Sequence, residues 1–113
     1  MPTVVDNLLR TVTGDCEQIK ELLATEGVRI EQIVSHGRAS PEGFWYDQPE
    51  AEWVVLLKGS ATLLIESEPV VTLGAGDYLL IPAHLRHRVE QTSEDALWLA
   101  VHFRDQTKLS SRT

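Results

Sequence analysis

The stretch "LGAGDYLLIPAHLRHRVEQ", residues 73–91, decides the fold. An apolar run from Tyr78 to Ile81 stops at Pro82, the pattern breaks, and an alternating run opens at His87. Proline cannot donate to a strand ladder, so Pro82 ends a strand. Gly74 and Gly76 can take the positive φ of a tight turn before it. The stretch therefore reads as two short strands meeting at corners. It also holds two of the four histidines, His84 and His87. An imidazole there can ligate a metal, turn a corner or fill a core.

The period of two extends outward from this stretch. "VRIEQIVSH" (28–36), "EWVVLLKG" (52–59), "SATLLIES" (60–67), "VVTL" (70–73) and "ALWLAVHF" (96–103) all read as strands, separated by polar or Gly/Pro-bearing loops. Lys58-Gly59 predicts a tight hairpin turn. Only "GDCEQIKELLATEG" (14–27) breaks the rule. Asp15 and Gln18 have capping-box spacing, Ile19, Leu22 and Leu23 form an apolar stripe, and Gly27 suits a left-handed cap, so this segment predicts a helix. About seven short strands after one helix predict an all-β sandwich or barrel. The organisation expected is an N-terminal segment and helix over 1–27, a barrel over 28–103 and a polar tail over 104–113.

The 113 residues fit one domain, and 42% hydrophobic composition supports a core. A net charge of −7, with the ten basic residues scattered, argues against nucleic acid or an anionic membrane as partner. Cys16 is the only cysteine, so no internal disulfide forms and a reducing, cytoplasmic setting is expected. The N-terminus does not read as a signal peptide, and no apolar run approaches the length of a membrane span. There is no phosphate loop, nucleophile elbow or cysteine pair for zinc.

Two stretches resemble the cupin family. Its second motif is matched in spacing by Gly76, five residues, Pro82, one, His84, two, His87, three, Gln91; His84 stands for a glycine and Gln91 for an asparagine. Its first motif is matched by Glu52, six residues, Gly59, without the two preceding histidines. Tyr46 and Gln48 occupy the histidine places under one spacing, Trp45 and Asp47 under the other. The resemblance covers roughly residues 30–103 and implies a jelly-roll β-barrel.

The resemblance further implies that Glu52 and His87 point into the barrel, where cupins that bind metal hold a divalent ion. Side-chain parity agrees: Glu52 shares a face with Val54 and Leu56, and His87 with Val89 and Gln91. The metal set would be Glu52, His87 and either Asp47 or Gln48, suited to Zn, Mn, Fe or Ni. A metal-free buried Glu52–His87 pair is the alternative. Tyr46, Trp45 and His102 are candidate pocket residues, His102 through its shared face with Trp98 and Ala100. Arg86 and Arg88 meet either an anionic ligand or surface carboxylates. The expected function is small-molecule binding. A metal-dependent enzyme of dioxygenase, isomerase or lyase type, acting on a small polar substrate, is the competing reading, and a homodimer is expected from sheet edges that need covering.

Overall fold

A computed structural model describes residues 3–104. Eight strands follow in order: β1 (Gln18–Thr25), β2 (Val28–Val34), β3 (Ala51–Lys58), β4 (Ser60–Ile65), β5 (Val71–Gly74), β6 (Tyr78–Ile81), β7 (His87–Thr92) and β8 (Leu97–Phe103). All pairings are antiparallel. They build a five-stranded sheet, β1-β2-β8-β3-β6, facing a three-stranded sheet, β5-β4-β7. Alternate residues of each strand turn inward, and Val54, Leu56, Ala61, Leu63, Leu73, Ile81, Trp98 and Ala100 form the core between the sheets. The tail residues 105–113 lie outside the described residues.

The expected N-terminal helix is absent: among the described residues there is none, and its segment is β1. The capping groups are used over long range instead. The Asp15 carbonyl accepts from Arg38 Nε at 2.7 Å, and Gln18 Oε1 lies 2.8 Å from His36 Nε2. Glu26 and Gly27, the latter at φ 94°, make a two-residue turn that pairs Thr25 with Val28. The apolar stripe that suggests a helix is not buried in a core, since Ile19, Leu22 and Leu23 stay 57%, 40% and 49% exposed. A helix this short is marginal without an apolar face to pack. Pairing along the free edge of β2 satisfies the backbone instead, with a bulge at Leu22.

The Lys58-Gly59 corner also differs from expectation. β3 and β4 lie in different sheets, so Gly59, at φ 82°, carries the chain across the barrel. The outer face of β2 is covered by the N-terminal segment. Gln32 is buried there, and its Nε2 donates to the carbonyls of Leu8 (2.7 Å) and Arg10 (3.2 Å).

Candidate functional site

Inward parity carries polar side chains to one end of the barrel. On β3, Glu52 continues the face of Val54 and Leu56; on β8, His102 continues that of Trp98 and Ala100; on β2, Glu31 lies between Arg29 and Ile33. Glu52 and His102 are direct cross-strand partners. His87 opens β7 opposite them. The segment before β3 reaches the same place through a bridge in which Tyr46 N donates to His87 O (2.7 Å) and His87 N to Tyr46 O (3.1 Å). The result is a cavity of about 110 Å³ with Glu17 and Ile19 of the β1 segment, Glu31, Tyr46, Gln48, Glu52, His87 and His102 in its wall and Val54, Leu63 and Trp98 towards the core.

Glu52, His87 and His102 are buried, 9%, 5% and 3% exposed. His87 Nδ1 lies 2.9 Å from the Leu85 carbonyl. A carbonyl only accepts, so Nδ1 carries the proton and Nε2 of the neutral ring presents a lone pair. That nitrogen is 3.8 Å from Glu52 Oε1, beyond direct hydrogen bonding. Tyr46 stacks on the His87 ring at 5.3 Å between centroids, and Phe44 packs edge-on against Tyr46. His102 Nε2 lies 3.2 Å from Glu31 Oε1, and Glu31 Oε2 accepts from Arg29 Nε at 3.0 Å. The other ring nitrogen, His102 Nδ1, is buried without a partner.

Charges inside the cavity act on one another. Burial pushes the Glu52 carboxyl up; His102 and His87 oppose this, and the Glu31 carboxylate adds to it. Partial burial and then Glu31 push Glu17 up. Burial, followed by Glu17 and Glu52, raises the Tyr46 phenol. A carboxyl held above its usual range beside an imidazole lone pair is an acid next to a base.

Of the sequence-derived candidates, Glu52, His87, Gln48, Tyr46 and His102 are brought together in the cavity wall. Asp47 and Trp45 are not: Asp47 Oδ1 is 2.8 Å from the exposed His84 ring, and Trp45 lies under the Arg86 guanidinium at 5.4 Å. The inward pair ahead of Glu52 is thus Tyr46 and Gln48. Arg86 pairs with Glu66 at 2.8 Å, and Arg88 binds Glu90 and the carbonyls of Ser40, Pro41 and Phe44. Gln91, expected beside His87, is exposed because Glu90 bulges out of the β4–β7 ladder and reverses parity beyond it. Glu31 is a member of the site that the motifs did not point to; its signal is parity, a carboxylate between Arg29 and Ile33 on the inward face of β2.

A model of the cupin domain matches residues 31–102. The chain belongs to the cupin family. Among solved structures, this cupin is similar to a candidate mannose-6-phosphate isomerase from Ralstonia eutropha JMP134, at 42% identity over 90% of this chain and 99% of that one, with a TM-score of 0.85. It shares its fold with a cupin superfamily protein from Desulfitobacterium hafniense (17% identity, 92% and 94% coverage, TM-score 0.75). It shares it too with the DMSP lyase DddQ from Ruegeria pomeroyi (20% identity, 83% of this chain and 50% of that one, TM-score 0.64). A search of curated proteins found no significant match.

Cupins commonly bind a divalent metal. Among the described residues, no three His, Cys, Asp or Glu side chains lie close enough together to hold an ion. His87 Nε2 and Glu52 Oε1 converge, but His102 Nε2 is engaged by Glu31 and Asp47 by His84. Gln48 adds only an amide oxygen as a donor. Protein zinc sites use three or four strong donors, and these residues do not fit that requirement.

Proposed function

We propose that this cupin binds a small molecule in the barrel through Glu52, His87, His102, Tyr46 and Gln48, without a resident metal. The observation that carries the reading is a cavity walled by buried ionisable groups in an otherwise apolar barrel. Buried polar groups need partners, and here His87 Nε2 stands 3.8 Å from Glu52 while His102 Nδ1 has no partner. Metal analysis of protein purified without an affinity tag tests this reading. The expected result is far less than one transition-metal ion per chain. A stoichiometric metal that His87→Ala removes would instead support a metal-dependent cupin with Glu52, His87 and Gln48 as ligands.

A proton-transfer enzyme of isomerase type is the second reading. It is supported by the adjacent acid and base, Glu52 and His87, and by 42% identity to a protein named for such an activity. The reducing, cytoplasmic setting inferred from the lone Cys16 belongs with either reading.

We also propose a homodimer. β1 ends the larger sheet and carries exposed Ile19, Leu22 and Leu23. An eight-residue edge of this kind invites pairing. Sedimentation at micromolar concentration is expected to give a dimer that Leu23→Lys dissociates, and a wild-type monomer across that range would reject it.

A further inference from the structure

The hydrogen-bonding sense of the cavity wall points to the charge of its ligand. Glu17, Glu31 and Glu52 contribute three carboxylates. His87 Nε2 is an acceptor because Nδ1 donates to Leu85 O. His102 Nδ1 is an acceptor because Nε2–H faces the Glu31 carboxylate, and it is buried and unpartnered in a residue of the wall. Donors come from the Tyr46 and Ser35 hydroxyls and the Gln48 amide, while Trp98 Nε1–H is spent on Ser35 Oγ. Among the described residues, no lysine or arginine lines the cavity; Arg86 and Arg88 are turned away to other partners, and Arg29 pairs with Glu31 and Glu50. An acceptor-rich, negatively charged wall suits a ligand rich in donors.

We infer that the cavity takes a small organic ammonium ion and rejects phosphorylated or carboxylate ligands. An alkylammonium has three donors and no acceptor, which matches a wall of carboxylate and imidazole acceptors. The volume, about 110 Å³, is well below the roughly 300–1,000 Å³ of sites for drug-sized ligands, which restricts the ligand to a few heavy atoms. Burial is the main cause that raises Glu17, Glu52 and Tyr46; Glu31 adds to it at both glutamates, and Glu17 and Glu52 add to it at Tyr46, in keeping with a field that a cation relieves. A phosphate would meet those carboxylates with no cation in the wall to receive it.

This inference rests on the small-molecule reading of the cavity, and one titration separates the two. Full-length protein is followed by NMR at the His87 and His102 rings while n-propylammonium, propan-1-ol, propionate, mannose 6-phosphate or Mn²⁺ is added at matched ionic strength. Saturable shifts with n-propylammonium are expected, with propan-1-ol and propionate weaker by roughly tenfold or more, the loss of one charge-assisted hydrogen bond. Glu17→Gln, at the exposed mouth, is expected to weaken n-propylammonium by a similar factor. Equal or tighter binding of propan-1-ol, propionate or mannose 6-phosphate overturns the cation inference and leaves small-molecule binding standing. So does a response to Mn²⁺ alone, in favour of a metal site. An unchanged affinity in Glu17→Gln also overturns the inference. No response to any probe removes both.

Discussion

Gly59→Ala is expected to destabilise the protein by on the order of 2–5 kcal/mol, read as a lower urea midpoint at unchanged slope. Two separate costs meet at this corner. The residue sits at φ 82°, in the left-handed region, where a Cβ costs about 1–2 kcal/mol. The added Cβ would also press on the Ser93 hydroxyl, lie 2.8 Å from Asp95 Oδ1 and 3.0 Å from Ala96 Cα. Ser93 Oγ cannot simply retreat, since it accepts from Ser60 N at 2.9 Å and donates to Asp95 at 2.8 Å. Overpacking of this kind costs about 1–3 kcal/mol more. Gly43→Ala isolates the first cost: its φ is 77° and nothing lies within 4 Å of the added Cβ. Equal losses in the two variants would show that the Gly59 contacts yield freely and that only the backbone conformation matters.

The same glycine shows what the sequence discloses and what it withholds. Strand boundaries around Gly59, Pro82 and Gly76 are legible because backbone rules act locally. Which sheet each strand joins is not local, so Lys58-Gly59 reads equally well as a hairpin and as a crossing. The β1 segment fails for a related reason. Its capping-box and stripe spacings are genuine helix signals, but the free edge of β2 offers Gln18–Thr25 a backbone ladder and no apolar surface offers a helix a bed. Tertiary pairing then overrides local propensity.

Parity made much of the site legible. Glu52, His87 and His102 lie where alternation places them, because their strands run unbroken from core residues to the cavity. Gln91 does not, because one bulged residue, Glu90, inverts every side chain after it. The choice between Tyr46/Gln48 and Trp45/Asp47 was open in the sequence. It depends on the Tyr46–His87 backbone bridge, a contact between segments 41 residues apart. No motif marks Glu31; beyond its inward parity, its role depends on β2 pairing with β8, which brings it to His102.

Glu52→Gln is expected to raise stability at neutral and alkaline pH by on the order of 1–3 kcal/mol, the scale of a poorly satisfied buried polar group, and to leave it unchanged near pH 4. Burial dominates at Glu52 and raises its carboxyl in the folded protein. The groups around it are His87 on β7, His102 on β8, and Glu31 and Arg29 on β2; the imidazoles and Arg29 lower it, Glu31 raises it, and the net direction is upward. The folded state therefore holds this proton more tightly than the unfolded chain. Stability contributed by the neutral acid is present below the ordinary glutamate value, about 4.3, and is lost as pH rises from there through the folded value. Each unit of elevation is worth about 1.4 kcal/mol. Glutamine has the same shape, carries no charge at any pH, and can donate its amide towards His87 Nε2. Wild type and variant should then part company above pH 4.3 in urea denaturation, the wild type falling and the variant not. A variant that is less stable than wild type at pH 7 would mean that the ionised Glu52 is held favourably by His87 and His102, and that the 3.8 Å gap closes in solution into an ion pair.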